Sequence, residues 1–351
     1  MTVTPDADVP AAATGILRVA VDARFAVLDT RGIGRYTRAV AGQLLGRPEV
    51  TLTFVAPGPL APRGRIAAAL DVPPARVVAR VPRETAVLWN PSNASDLALA
   101  APAVTMIHDL VPFTFPASNE RVRAREQAAL VRTAERARRI LVNSAATAAE
   151  VERVLGVARD CIAVTPLGVA APFVAAGARH RLADARPYVL HVGAHDPRKN
   201  TATLIAAWQR AFPQADVALA FSRPPSRVPA GALVVDAPDD VTLAALYRGA
   251  LLVAIPSLEE GFGLPLLEAL ACGVPVLAAR AGALPEVGAD AAAWVEQPGD
   301  VAVWAQALRA LADGVERRAD LARRGPLRAA GFTWERCAAL TLDALRAAAH
   351  A

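Results

Sequence analysis

Short apolar runs alternate with amphipathic segments along most of the chain. ILRVAVDAR at 16–24 and VTLTFVAP at 50–57 predict buried strands, and RGIGRYTRAVAGQLLG at 31–46 predicts a glycine-containing loop that runs into a helix. Strands of continuous apolar residues that alternate with helices are typical of parallel sheets covered on both faces. The pattern therefore predicts an α/β fold.

The alternation stops once and then restarts. Residues 171–187, APFVAAGARHRLADARP, are rich in proline, glycine and arginine, and strands and helices alternate again from YVLHVG at 188–193. A single hydrophobic core stops growing near about 250–300 residues, and the chain has 351. We therefore predict two Rossmann-like domains, at 16–172 and 188–334, whose parallel sheets face a central cleft, with a linker at 173–187.

Both ends of the chain lie outside these two domains. Residues 1–15 lack the basic and apolar regions of a signal peptide and predict a disordered tail. Residues 335–351 predict a helix, which the overall pattern suggests packs back on the first domain. No apolar run approaches the roughly 18 residues that a membrane-spanning helix needs. We therefore expect a soluble or peripheral protein.

Composition narrows the choice of partners. The 54% hydrophobic and 20% charged residues indicate a folded globular protein, and the net charge of +5 favours anionic partners. Aromatic residues make up 5% of the chain and no zinc-finger spacing occurs, so we expect no nucleic-acid partner. The three cysteines, Cys161, Cys272 and Cys337, are too far apart for a metal or redox motif and favour a reducing, cytoplasmic setting.

The strongest chemical signal lies at 255–287. A strand is predicted to end near Ile255, and the loop after it contains Glu260 and two glycines before a helix that includes Glu268 in its first turn. Glycines let the backbone approach a ligand, and a helix N-terminus points unpaired N–H groups at an anion. This combination suits a sugar diphosphate. The alternative is that both glutamates merely favour a helix N-terminus through its dipole, which does not account for the glycines.

Several segments, taken in order, resemble one enzyme family. EGFGLPLLEALACGVPV at 260–276 is similar to the E-x7-E signature of retaining family 4 glycosyltransferases (group 1), and VGAHDPRKN resembles their G-x-x-x-x-R-K-N segment. AALYRGALLVAIPSLEEGFG, AGALPEV, RGIGRYTRAV, MIHDLVPFTFP and RILVNSAATAAEV also fit this family. The resemblance runs from about residue 16 to the C-terminal helix. It implies a GT-B fold of two facing Rossmann-like domains.

The resemblance also implies roles for individual residues. Arg198 and Lys199 match the pair that neutralises the donor diphosphate, and Lys199 is the only lysine among the 38 lysines and arginines. Glu260 matches the carboxylate beside the transferred sugar, Glu268 the ligand of the nucleotide ribose, and His108 a histidine near the donor sugar. The remaining matched donor-site positions are Gly32, Gly34, Asn143, Ser144, Gly193, Gly261, Phe262, Gly263 and Leu264.

The implied function is metal-independent transfer of a hexose, with retention, from a nucleotide sugar to a saccharide or lipid-linked glycan. PRKN and HDLVPFTFP look most like mannosyltransferase members, so GDP-mannose is the first donor expected, while UDP-glucose and dTDP-rhamnose stay open. No cofactor or metal is expected. A sugar-nucleotide epimerase on the same fold and a non-catalytic sugar-nucleotide-binding subunit are the alternatives.

Weaker signals have ordinary structural interpretations. RGIGRYT lacks the third glycine of a dinucleotide site, and the carboxylates at 239–240 predict a helix N-cap instead of a metal site. His191 and His195 are expected to be structural or to lie at the rim of the site. The arginine-rich segment 119–139 predicts either a solvated amphipathic helix or a basic face that contacts anionic membrane.

Overall fold

The chain folds into two α/β domains, each built on a parallel sheet. The computed structural model describes residues 15–29, 32–58, 61–93, 97, 101–115, 119–182, 185–193 and 196–350. The predicted tail at 1–15 lies outside them, except for Gly15, and so does His195. The predicted fold class, two parallel-sheet domains, is confirmed.

The first sheet has seven strands in the order β3-β2-β1-β4-β5-β6-β7, all parallel. These strands are β1 (Leu17–Asp22), β2 (Val50–Val55), β3 (Val77–Val78), β4 (Val87–Asn90), β5 (Ala103–Ile107), β6 (Ala137–Val142) and β7 (Ile162–Val164). The helices between them are α1 (Phe25–Leu28), α2 (Gly32–Leu45), α3 (Arg63–Ala69), α4 (Val111–Thr114), α5 (Glu120–Arg136) and α6 (Ala145–Leu155).

The second sheet has six parallel strands in the order β10-β9-β8-β11-β12-β13. These are β8 (Tyr188–His191), β9 (Ala218–Phe221), β10 (Leu233–Val234), β11 (Leu252–Ile255), β12 (Val276–Ala279) and β13 (Ala293–Val295). Its helices are α7 (Thr201–Ala211), α8 (Asp240–Gly249), α9 (Leu264–Ala271), α10 (Leu284–Gly288), α11 (Val301–Asp313) and α12 (Val315–Ala329), and α13 (Trp334–His350) ends the chain.

Strand order reverses between β1 and β4 in the first sheet and between β8 and β11 in the second. In open parallel sheets, ligands bind outside the carboxyl ends of the strands at this reversal. The loops after β1, β4, β5, β8 and β11 are therefore the positions that can form a site between the domains.

Two stretches of chain join the domains, and they touch. The backbone N–H of Val169 donates to the carbonyl of Phe332 at 3.1 Å, and a Cβ at Gly168 would lie 2.2 Å from the backbone nitrogen of Trp334. From there α13 lies against the first domain, where the thiol of Cys337 contacts the carbonyl of Thr165 at 3.7 Å. The first domain therefore includes the end of the chain.

Arg248 of α8 holds the linker to the second domain. Its side chain is buried and donates to the carbonyl oxygens of Ala178 at 2.7 Å and of Pro172 and Val174 at 3.1 Å each. Three carbonyls at the start of the linker and just before it thus find a donor that belongs to the second domain. The segment 172–178 is consequently fixed to that domain.

The first glycine segment differs from its prediction. Residues 31–46 were expected to be a glycine-containing loop that runs into a helix, but α2 already begins at Gly32, so both glycines lie in the helix. A Cβ at Gly34 would lie 1.5 Å from the carbonyl oxygen of Asp29, so the glycine allows the helix to lie against the preceding chain. The predicted N-cap at 239–240 is confirmed, because Asp239 accepts from the backbone of Thr242 at 2.7 Å.

Candidate active site

A cavity of about 230 Å³ lies between the carboxyl ends of the two sheets. Both domains line it, at segments that follow β1, β4, β5, β6 and β7 in the first sheet and β8 and β11 in the second. The lining residues are Asp29, Gly32, Ile33, Asn93, His108, Asp109, Asn143, Leu167, Arg198, Glu260, Gly261, Phe262, Gly263, Leu264 and Pro265. Most of the predicted site residues are thus brought together in one cleft.

Lys199 and Glu260 form a buried ion pair at the edge of this cavity. The Lys199 Nζ lies 2.5 Å from Glu260 Oε1, and Ser257 Oγ donates to the same oxygen at 2.7 Å. Glu260 is 8% exposed. Burial alone would raise its pKa, but Lys199, Ser257 and Arg198 together hold the pKa below its ordinary value. The carboxylate is therefore an anion. Both donors given above bind Oε1, so Oε2 can accept a hydrogen bond from a ligand.

The position of Lys199 follows from the short helix that contains it. Asp196 caps a 3-10 turn at Pro197–Lys199 by accepting from the backbone of Arg198 at 2.9 Å. Gly193, with φ +95°, lies beside the lysine, and a Cβ there would be 3.4 Å from Lys199 Cε. The turn and the glycine together give the lysine stem its path toward Glu260.

Arg198 is held by both ends of its guanidinium. Nε and Nη2 bind the Asp196 carboxylate at 2.9 and 2.8 Å, and Nη1 donates to the carbonyl of Glu259 at 3.3 Å. The side chain is 14% exposed. This anchoring places a fixed positive charge on the wall of the cavity.

The loop from Glu260 to Gly263 also forms the contact with the first domain. A Cβ at Gly261 would lie 2.1 Å from the carbonyl oxygen of His108, so the two backbones meet there without a side chain between them. The Gly261 carbonyl accepts from Ser144 Oγ at 2.7 Å and from Thr147 Oγ1 at 3.1 Å. Gly263 has φ +94°, and α9 begins at the next residue, Leu264.

Two neighbours complete that interface. Phe262 is 4% exposed, and its ring meets the Phe332 ring edge-on at 5.9 Å between centroids. The Glu286 carboxylate accepts from the first two backbone N–H groups of α6, Ala145 at 2.9 Å and Ala146 at 3.3 Å. A second-domain carboxylate thus caps a first-domain helix.

The expected placement of Glu268 is wrong. The residue lies in the second turn of α9, away from Glu260, because the helix begins at Leu264 and has no acidic residue in its first turn. Its Oε1 accepts from Arg35 of α2 and its Oε2 from Tyr247 at 3.0 Å. Burial raises the pKa of Glu268, which Arg35 and Tyr247 offset in part.

Arg35 is a residue that sequence reasoning missed. Besides Glu268 it binds Asp240 Oδ1 at 2.5 Å and lies over the Phe173 ring at 5.2 Å, so it links the first domain to the second and to the linker. These groups border a second cavity of about 340 Å³. In a chain rich in arginine, nothing in the sequence distinguishes this one.

His108 is a neutral, oriented imidazole. Its Nε2 lies 2.9 Å from the carbonyl oxygen of Pro91, which can only accept, so Nε2 carries the proton. Burial lowers the pKa of His108, and the ring is therefore uncharged at pH 7 with a lone pair on Nδ1. The ring meets Tyr36 edge-on at 5.0 Å. Such a nitrogen can accept a hydrogen bond from a hydroxyl group.

The pair Asn143 and Ser144 divides between two positions. Asn143 lines the cavity, and its Nδ2 donates to the carbonyl of His108 at 3.0 Å. Ser144 is fully buried, caps α6 and contacts Gly261. Ser144 therefore serves the contact between the domains.

His191 is structural, as expected. It is buried, and its two nitrogens lie 3.1 Å from the Ala254 carbonyl and 3.1 Å from Thr201 Oγ1. Burial lowers its pKa to about 4. The ring is thus neutral and engaged on both sides.

Comparison with known proteins supports an enzyme family. Residues 186–313 match the family model "Glycosyl transferases group 1" and residues 84–173 the model "Glycosyltransferase Family 4". The chain is 32% identical over 270 residues to O-antigen chain mannosyltransferase B of Escherichia coli, a match that covers 70% of each protein. A D-inositol 3-phosphate glycosyltransferase of Arthrobacter is 35% identical over 32% of this chain and 27% of its own.

Solved structures share the architecture. Anabaena HepE in complex with UDP and glucose has a TM-score of 0.69 at 16% identity, covering 93% of this chain and 98% of its own. Sucrose-phosphate synthase of Thermosynechococcus elongatus has a TM-score of 0.67 at 19% identity, with the same coverage. The expected GT-B arrangement of the two domains is thereby confirmed.

Proposed function

Because the chain belongs to the group 1, family 4 glycosyltransferases, we propose that it transfers a hexose with retention from a nucleotide sugar to a hydroxyl of a saccharide or lipid-linked glycan. The observation that carries this proposal is the buried Lys199–Glu260 pair beside the anchored Arg198 at the edge of the cleft cavity. No metal is required in this scheme, because side chains supply the positive charge.

The proposed chemistry follows from where charge develops. As the bond between the sugar and the phosphate breaks, negative charge builds on the departing nucleoside diphosphate, and Lys199 and Arg198 stabilise it. The acceptor oxygen attacks on the same face of the sugar, and its proton passes to a phosphate oxygen of the donor. Glu260 Oε1 is engaged by Lys199 and Ser257, so Oε2 binds a hydroxyl of the transferred sugar and orients it.

The first residues of α9 complete the donor site. Backbone N–H groups at Gly261–Leu264 hold the sugar and its phosphate, as expected for a helix N-terminus. In the proposed donor complex Glu268 binds the nucleotide ribose. Arg35 donates to Glu268 Oε1 and Tyr247 to Oε2 here, so a ribose hydroxyl would share one of these oxygens with its present donor or replace that donor.

Donor preference is the first prediction. We expect GDP-mannose as the donor, which the mannosyltransferase relative supports; UDP-glucose and dTDP-rhamnose are the competing donors, and HepE binds UDP and glucose. Thermal unfolding with GDP, UDP and dTDP measures the choice, because a ligand at 100 times its Kd stabilises the folded state by about 2.7 kcal/mol. Stabilisation by UDP without stabilisation by GDP would contradict the expected donor.

Turnover tests the function itself. Release of nucleoside diphosphate from the stabilising donor, with a new glycoside formed, is the expected result. Interconversion of the donor sugar without release of diphosphate would identify an epimerase. Tight binding with no turnover on any acceptor would identify a binding subunit.

We further propose that the enzyme works in the cytoplasm, with α5 against the inner face of the membrane. Among the described residues, no helix combines the length and apolar character needed to cross a bilayer. All three cysteines are free thiols. On α5 the arginines Arg121, Arg125 and Arg132 are exposed, with Val122 44% exposed among them, and such a face suits anionic lipid.

Flotation with vesicles that contain an anionic lipid checks the contact of α5. We expect the wild type to float with the vesicles and the triple variant Arg121→Gln, Arg125→Gln, Arg132→Gln to remain at the bottom at the same salt concentration. A matched triple variant of exposed α12 arginines, Arg317, Arg323 and Arg324, controls for net charge. Equal flotation of the α5 variant and the wild type would rule the contact out.

A further inference from the structure

The two walls of the cleft cavity differ in their hydrogen-bonding character. The second domain contributes the cation Arg198, the N-terminal end of α9 and the Glu260 carboxylate, which is paired with Lys199. The first domain contributes two carboxylates, Asp29 and Asp109, together with His108 and Asn143. The donor phosphate suits the first of these walls, so the other wall faces the remaining substrate.

The donating groups of the first-domain wall are already used inside the domain. His108 Nε2 donates to Pro91, and Asn143 Nδ2 donates to the His108 carbonyl. Asn93 Nδ2 donates to the Asp109 carbonyl at 3.3 Å, and its Oδ1 accepts from the His108 backbone at 2.7 Å. What this wall offers to a ligand are therefore acceptors, namely His108 Nδ1, Asn143 Oδ1 and the Asp109 carboxylate.

Asn143 Oδ1 gives independent evidence for a ligand. Asn143 is 3% exposed, and its Oδ1 is a buried oxygen with no hydrogen-bond partner among the described residues. An unsatisfied buried acceptor is costly, and native structures rarely keep one without a partner. A hydroxyl of a bound molecule would satisfy this oxygen.

Asp109 lies close to the reacting centre. A Cβ at Gly261, in the loop that holds the donor sugar, would be 3.1 Å from Asp109 Cβ. Asp109 Oδ1 accepts long hydrogen bonds from the Val111 backbone at 3.4 Å and from Asn93 Nδ2 at 3.5 Å. These two contacts orient the carboxylate. Among the described residues, the cation that lines the cavity is Arg198 of the second domain, which attracts Asp109 but is assigned above to the donor diphosphate.

We propose that the acceptor is an uncharged saccharide end, whose hydroxyls donate to Asp109 and Asn143, and that acceptors phosphorylated on this end sugar are rejected. The assignment rests on the glycosyltransferase function proposed above. A neutral sugar presents several O–H donors to a wall of acceptors. A phosphate would instead bring two negative charges against the Asp109 carboxylate, and like charges in contact exclude a wrong partner.

Matched acceptor pairs test the assignment with the full-length protein and the donor that stabilises it. The pairs are the methyl α-glycosides of mannose, glucose and galactose, each with its 6-phosphate. For the best pair, we expect kcat/KM with the neutral member to exceed that with the phosphate by about 30-fold or more at low ionic strength.

Two variants with opposite effects tie this preference to the proposed residues. Asp109→Asn removes a negative charge and is expected to lower the ratio of kcat/KM for the neutral acceptor to that for its phosphate about tenfold. Asn143→Asp adds a negative charge in nearly the same shape and is expected to raise this ratio. Asp313→Asn, on α11 with a side chain that is 63% exposed, removes the same charge far from the cleft and should leave the ratio unchanged.

The possible failures are distinguishable. Equal use of both members, or preference for the phosphate, would overturn the acceptor assignment while glycoside formation still supported the proposed function. Hydrolysis of the donor without transfer to any neutral sugar would also overturn the assignment. No turnover of any donor would overturn the proposed function, and the acceptor assignment with it.

Discussion

Replacing Lys199 by methionine is expected to lower kcat/KM for glycosyl transfer by about 10²- to 10³-fold, the usual effect of losing one preorganised charge-stabilising donor. The lysine Nζ is fixed 2.5 Å from Glu260, so its charge is in place before the diphosphate departs. Initial rates of nucleoside diphosphate release in the presence of acceptor measure the loss. Arg323→Met, on a side chain that is 69% exposed, is the control and should leave the rate unchanged.

The same substitution has a pH-dependent effect on stability. In the wild type the depressed pKa of Glu260 stabilises the folded state above the unfolded-state pKa, and this contribution is lost as pH falls through the folded-state pKa. Without Lys199 the buried carboxylate has a raised pKa instead. The deficit in the free energy of unfolding is therefore expected to be largest near neutral pH and to shrink as pH falls, first through the raised pKa of Glu260 in the variant and then through its depressed pKa in the wild type.

Lys199→Arg separates charge from shape. Arginine keeps the positive charge but replaces a compact ammonium with a wide planar guanidinium. Space for it is limited, because the lysine stem passes so close to Gly193 that a Cβ there would be 3.4 Å from Lys199 Cε. We expect turnover to fall at least about tenfold. Near-normal turnover would mean that the single lysine of the chain reflects composition alone.

Gly261→Ala is expected to lower kcat/KM about 10²-fold while nucleoside diphosphate still binds to the second domain. The new Cβ would lie 2.1 Å from the His108 carbonyl oxygen, and because both partners are backbone, the domains must separate by about 1 Å to admit it. A misplacement of that size between reacting groups costs roughly 10²-fold in rate. Transfer rates and the thermal shift with nucleoside diphosphate are the two measurements.

Gly299→Ala is the matched control, because a Cβ at Gly299 has nothing within 4 Å. It should retain both activity and the thermal shift. If Gly261→Ala transferred sugar at the wild-type rate, the close contact between the signature loop and the first domain would have no part in the reaction.

The pairing of Lys199 with Glu260 was within reach of the sequence. The two residues are 61 positions apart, yet each follows a predicted strand, and β8 and β11 are neighbours in the sheet. Parallel strands bring their carboxyl ends to one edge, so the loops after them meet. The same reasoning applies to His108 and Asn143, which follow the neighbouring strands β5 and β6, although only the family resemblance assigned them to the site.

Other contacts left no local signal. Arg35 binds Glu268 across 233 positions, and no periodicity of either helix points to the other. The helix α12 was not predicted, because a third of its residues are arginine, Pro326 interrupts its pattern and only Leu321, Gly325 and Ala329 are fully buried. At Gly325 a Cβ would lie 2.8 Å from the Leu270 carbonyl oxygen. This helix therefore packs closely because Gly325 has no side chain, and a hydropathy pattern does not reveal such a contact.

The two segments that join the domains, which contact each other at Gly168–Val169 and Phe332–Trp334, determine how the cleft can open. The backbone of Val169 is hydrogen-bonded to that of Phe332, and Arg248 holds the chain from Pro172 onward to the second domain. The backbone at 170–171 is therefore the point in this crossing about which the domains can rotate. Two adjoining crossings define one axis, so the domains can swing apart about it but resist twisting or sliding. Cutting the chain at the linker would therefore not release an intact first domain. The helix α13 packs on that domain but would remain covalently attached to the other fragment.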